Sequence, residues 1–173
     1  MDKNKIMKKK FNYSDNNGKV IVGNGDYKFT TEWSRASNKS IHFYDHPGDI
    51  KGIALAENLN DGDFKQNVSK LNLAELNYSS GSRTLGLKDV AVFQNTKGEF
   101  LFVKPIRIKD KQRGDDEDSF EFEYDMKGVS TSQMIWMEIQ VWFRKNWKRV
   151  LYNQLLGFCL GDLIDAIKNR PQK

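Results

Sequence analysis

One cysteine, two histidines and three prolines in 173 residues leave little material for several kinds of chemistry. Cys159 has no second thiol to pair with, so no internal disulfide forms, which suits a reducing compartment. In the apolar stretch 155–160 it reads as a small buried hydrophobe. His42 and His46 flank Asp45, but His46-Pro47-Gly48 reads as a turn that sends the imidazoles apart, and no cysteine cluster joins them. No metal and no cofactor is expected. Neither a Gly-x-Ser-x-Gly elbow nor a His-Glu-x-x-His or Cys-His constellation is present, so no catalytic residue is assigned. A run of about 18 apolar residues, the length a spanning helix needs, is also missing. The basic start is followed by no apolar stretch, so no secretory leader is expected. With 29% charged residues and a mean hydropathy of −0.70, a soluble, cytoplasmic protein is the expectation.

What the chain has in quantity is lysine and arginine, and their placement matters more than the net charge of +5. Residues 1–10 hold five lysines and one aspartate, a surplus of four. Residues 130–173 hold seven basic and three acidic side chains, again a surplus of four. The intervening stretch has 16 basic and 19 acidic residues and is mildly acidic. Lys8, Lys9 and Lys10, with Arg144, Lys145, Lys148 and Arg149, are therefore the candidate phosphate contacts of a nucleic-acid-binding protein.

Alternation is the strongest structural signal. Ser119-Phe120-Glu121-Phe122-Glu123-Tyr124-Asp125-Met126 places an apolar residue at every second position, which is the period of a half-buried strand. Tyr27, Phe29, Thr31 and Trp33 repeat the pattern. Residues 40–44, 50–56, 90–94 and 100–108 read as further strands, the last pair joined as a hairpin across Asn95-Thr96-Lys97-Gly98. Residues 100–103 are apolar on both faces and predict a central strand. Asp15-Asn16-Asn17-Gly18 predicts a hairpin between 11–14 and 19–22. Residues 57–88, rich in Asn, Asp, Ser and Gly, read mostly as loop, with short ordered pieces near 68–76. Gly23-Asn24-Gly25 looks like the start of a phosphate loop, but it leads into a strand and reads as a turn. The run Asp115-Asp116-Glu117-Asp118 lacks the spaced pattern of a calcium loop and reads as solvated.

Beyond residue 128 the period becomes helical. Trp136, Ile139, Phe143, Trp147 and Val150 fall within one stripe at about 100° per residue. Leu156, Leu160, Leu163 and Ile167 form a second stripe. Residues 139–149 resemble a homeodomain recognition helix, but one residue too many separates Trp142-Phe143 from Asn146. That turns Asn146 by about 100°, and no preceding helix pair is predicted. The stretch 134–143 is apolar almost all round, interrupted by Glu138 and Gln140, so one supporting surface cannot cover it. A homodimer, or a protein partner taken up by this helix, is expected through Trp136, Trp142 and Phe143, with no membrane involved.

The fold expectation is α+β: an antiparallel β-barrel or sandwich of seven to nine strands followed by one or two C-terminal helices. It divides into a basic arm over 1–10, a β-rich domain over 11–128 and a helical tail over 129–173. Trp33, Arg35, His42 and Tyr44 are the candidate ligand-binding surface, because they bring aromatic, cationic and imidazole groups together on neighbouring strands. The stretch 25–44, with Ser79-Ser80-Gly81-Ser82-Arg83-Thr84 and residues 109–116, resembles an uncharacterised β-rich accessory domain associated with bacterial proteins that carry Toll/interleukin-receptor-type (TIR) signalling modules. The resemblance covers roughly residues 11–126. It implies a sensing or interaction part in bacterial signalling or defence, and no established activity. The expected function is thus a non-enzymatic binding or sensing module, with nucleic-acid binding as the alternative and a cryptic hydrolase third.

Overall fold

The structure is a computed structural model that describes residues 6–57, 59 and 63–128. Its elements are β1 (Met7–Phe11), β2 (Lys19–Val22), β3 (Phe29–Arg35), β4 (Ser40–Tyr44), β5 (Ile50–Ala56), α1 (Phe64–Lys70), β6 (Ser82–Gly86), β7 (Val90–Asn95), β8 (Phe100–Lys109) and β9 (Ser119–Lys127). They build two antiparallel sheets, one ordered β1-β9-β8-β7-β5 and the other β2-β3-β4-β6. The alternating strands do what their period demands. Phe29, Thr31 and Trp33 of β3, Ile41 and Phe43 of β4, and Leu85 of β6 are buried on one side. Phe93, Leu101, Val103, Phe120 and Phe122 of the other sheet share the same core.

The expected α+β class, an antiparallel barrel or sandwich body followed by one or two C-terminal helices, is overturned. Both sheets are open, α1 is one short helix among the described residues, and the architecture there is mostly antiparallel β. Closing a barrel on this side would require β1 to hydrogen-bond β2. Instead Lys9, opposite Phe122 on edge strand β1, reaches β2 with its side chain, and its Nζ donates to the Ile21 carbonyl at 2.9 Å. An inward-pointing cation takes up an acceptor that a neighbouring strand would otherwise use. Edge strand β6 carries the same device, since Arg83 lies opposite Phe43 and donates to the Asn77 carbonyl at 2.7 Å. The expected C-terminal helices lie outside the described residues.

Three local expectations also change. Residues 7–11, expected as a basic arm and the beginning of a first hairpin, form β1 and pair with β9 rather than β2. The chain then crosses between sheets through Asn16, Asn17 and Gly18, all at positive φ. Gly18 is required there twice over, because a Cβ would stand inside the Trp33 carbonyl. The 57–88 stretch contains α1, capped by Asp63 accepting from the Lys65 N–H, and the edge strand β6.

β8 is central, as residues 100–103 predict: Phe100, Leu101, Phe102 and Val103 are all fully buried. Leu101 and Val103 face the other sheet, whereas Phe100 and Phe102 join Val92 and Ala54 in a second apolar layer outside it. Tyr78, after α1, lies against Gly52 on that outer side. The β7–β8 turn is held by the buried Asn95, whose Oδ1 accepts from the Lys97 and Glu99 N–H groups. Its Nδ2 donates to the Asp26 carbonyl at 2.8 Å, tying this turn to the approach to β3.

Candidate functional site

The outer face of the four-stranded sheet carries side chains of opposite character to the core. Register places Lys19 beside Glu32, Glu32 beside Tyr44, and Tyr44 beside Ser82. One step along, Ser34 lies beside His42 and His42 beside Thr84. Several of these side chains touch. Ser34 and Tyr44 share a hydrogen bond of 2.7 Å between hydroxyls, and His42 Nδ1 and Thr84 Oγ1 share one of 2.9 Å. The His46 ring stacks on Tyr44 with centroids 4.9 Å apart and planes at 20°. His46 Nδ1 is 3.3 Å from Glu32 Oε1, and Lys19 Nζ is 3.7 Å from Glu32 Oε2. The result is a continuous polar-aromatic surface across all four strands.

Of the four candidate ligand residues, His42 and Tyr44 belong to this surface. Trp33 and Arg35 do not. Strand parity turns Trp33 to the opposite side, where it is 1% exposed and its Nε1 donates to Thr31 Oγ1 at 2.7 Å. Glu32, Ser34, His46 and Thr84 complete the face and were missed. For Glu32 and Ser34 the signal available is the same alternation that locates the core, since a strand that buries its odd positions presents its even ones, whereas His46 follows β4 and joins the face through its stack on Tyr44.

Arg35 is spent on a clasp at the end of β3. Its Nη2 donates to Asp118 Oδ2 at 2.8 Å, and its Nε lies 3.0 Å from Asp110 Oδ1, an ion-pair distance at which the N–H is not aimed at the oxygen. Asp110 is fully buried and also accepts from Arg113 and the Gln112 N–H. Asp118 accepts from Ser14 Oγ at 2.7 Å and the Lys111 N–H at 2.8 Å. Tyr13 Oη donates to the Lys109 carbonyl at 2.7 Å and lies 3.2 Å from Asp118. Burial, reinforced by the two carboxylates and opposed by Arg35, pushes the Tyr13 phenol up to about 12. The Ser14 hydroxyl, with the Lys111 N–H and Arg35, holds the Asp118 carboxyl below its ordinary value.

That shift sets an acid limit. A carboxyl whose folded pKa lies below its unfolded value stabilises the fold fully above the unfolded value and loses the contribution as pH falls through the folded one. Stability should therefore decline as pH drops below about 4. Thermal melts of Asp118→Asn should start lower at pH 7 and fall less between pH 5 and pH 3 than those of the parent. Parallel profiles would remove Asp118 from the acid response.

The acidic run is paired rather than simply solvated: Asp116 and Glu117 meet Lys109 at 2.6 and 3.6 Å, and Glu117 meets Lys10 at 2.6 Å. Two of the three candidate phosphate contacts on the N-terminal side are engaged as well. Lys9 holds the Ile21 carbonyl, Lys10 holds Glu117, and Lys8 stands opposite Glu123. Arg144, Lys145, Lys148 and Arg149, together with Trp136, Trp142 and Phe143, lie outside the described residues. No helix among the described residues is long and apolar enough to cross a membrane. Compared with protein-family models, curated proteins and solved structures, the chain matches none of them.

Proposed function

We propose that the β-rich part of this chain is a non-enzymatic binding module whose binding face is the outer surface of the β2-β3-β4-β6 sheet. One observation carries the reading: two contacting groups, Glu32–His46–Tyr44–Ser34 and His42–Thr84, lie side by side on the same outer face, held by a stacked ring pair and two hydroxyl-centred hydrogen bonds. A rigid sheet presents such groups at fixed spacing, which lowers the ordering cost of binding. A thermal-shift screen with nucleotides, oligosaccharides and short oligonucleotides tests it, because a ligand selective for the folded state raises the melting temperature. A hit should disappear in His46→Ala and Thr84→Ala while the unliganded melting temperature stays near that of the parent. A hit unaffected by both substitutions would place binding elsewhere.

The resemblance to the accessory domain of TIR-type proteins supports a part in bacterial signalling or defence, and with it a cytoplasmic location. Failure of a TIR module from the same genome to co-elute with this chain would count against that context. Self-association through Trp136, Trp142 and Phe143 rests on the apolar pattern of 134–143. Light scattering should return a multiple of 20.1 kDa and the monomer mass for Trp142→Glu. A parent chain that is monomeric at micromolar concentration would sink that expectation.

A further inference from the structure

The chemistry of the sheet's outer face restricts what it can hold. On the strand positions of this face the charged side chains are Lys19 and Glu32, and they lie 3.7 Å apart. The face is therefore close to electroneutral. A phosphate backbone needs several cations to displace its counterions, and Lys19 already has a carboxylate beside it. An apolar helix or acyl chain needs a contiguous hydrophobic patch, yet Ile21 is the exposed large hydrophobe on these strands. What remains is dense in groups that both donate and accept: the hydroxyls of Ser34, Tyr44 and Thr84 and the imidazole of His42.

We infer that the ligand is a neutral polyhydroxylated one, an uncharged oligosaccharide; the inference rests on the binding-face reading above. Sugar hydroxyls are themselves donors and acceptors, so they match a surface of Ser, Thr, Tyr and His side chains without stranding a buried charge. A sugar ring also presents a C–H face that packs on an aromatic ring. The Tyr44–His46 stack supplies one: the His46 side chain is 61% exposed, and its outer ring face is the platform. Glu32, only 18% exposed, sits against His46 Nδ1 at 3.3 Å and Lys19 Nζ at 3.7 Å and so steadies the His46 ring from behind rather than contacting the sugar.

The test is an amide chemical-shift titration of the full chain at millimolar concentrations of probe. The probes are cellohexaose, xylohexaose and mannohexaose, with a heparin-derived hexasaccharide and a short oligothymidylate as charged controls. At least one neutral probe should shift the amides around His42, Tyr44, His46 and Thr84. His46→Ala, which removes an exposed side chain and leaves the core untouched, should weaken that binding about tenfold, the loss expected for one aromatic packing partner. A face that responds only to a charged control overturns the neutral-sugar inference and leaves the binding-face reading standing. A face silent to every probe overturns both.

Discussion

Trp33→Ala should destabilise the protein by about 3–5 kcal/mol, the cost of emptying a large aromatic site in a packed core. For a chain of this size the melting temperature should fall by roughly 10–15 °C. Trp33 meets four rings, with centroids at 5.8 Å for Phe43, 5.5 Å for Phe93, 4.8 Å for Phe120 and 6.1 Å for Phe122. Three of the four belong to the opposite sheet, so the indole bridges the two layers. Truncation leaves a cavity that the surrounding strands cannot close without breaking their ladders. Trp33→Phe keeps much of the volume and should cost markedly less. A melting temperature unchanged in Trp33→Ala, with ligand binding lost, would return this residue to the binding surface.

Arg35→Ala should cost about 3 kcal/mol, because removing one partner of a buried ion pair strands the other charge. Asp110 is fully buried, Arg35 contacts both Asp110 and Asp118, and the clasp joins the end of β3 to residues 13–14 and to the 110–118 connector. Arg113 remains on Asp110 in the variant, which limits the loss. As a ligand contact, Arg35 would weaken binding on replacement and leave the melting temperature almost unchanged. As a clasp it should lower the melting temperature by roughly 6–12 °C and leave binding at the outer face intact. Differential scanning calorimetry and a binding isotherm on the same variant separate the two roles. Arg35→Lys should recover part of the loss, since an ammonium keeps the charge but cannot reach both carboxylates as a planar fork does.

Much of the β-rich body was legible in the sequence for one reason. A strand with one face in a core writes its burial at a period of two, and β3, β4 and β9 do so with Phe29-Thr31-Trp33, Ile41-Phe43 and Phe120-Phe122. β8 announced its central place by being apolar on both faces. β1 and β6 are not legible in the alternation, because they are edges with Lys9 and Arg83 at inward positions, and those residues interrupt the period. The same parity would have given the outer face directly: if Trp33 is inside, Glu32 and Ser34 are outside. The clasp role of Arg35 is not legible in the sequence because its partners, Asp110 and Asp118, are more than 70 residues away and become neighbours only when β8 and β9 pair.

Local periodicity thus determined which residues are strand and which face of each strand is apolar, since both follow from steric alternation along a few consecutive residues. Only the tertiary structure decided that the strands form two open sheets rather than a barrel. It alone decided that the acidic connector closes on Arg35, and that His42, Tyr44 and His46 share a surface with Glu32, Ser34 and Thr84. Those outcomes depend on which strands pair and in what register. Pairing is a comparison of energies between distant segments, and no stretch of sequence read by itself contains that comparison.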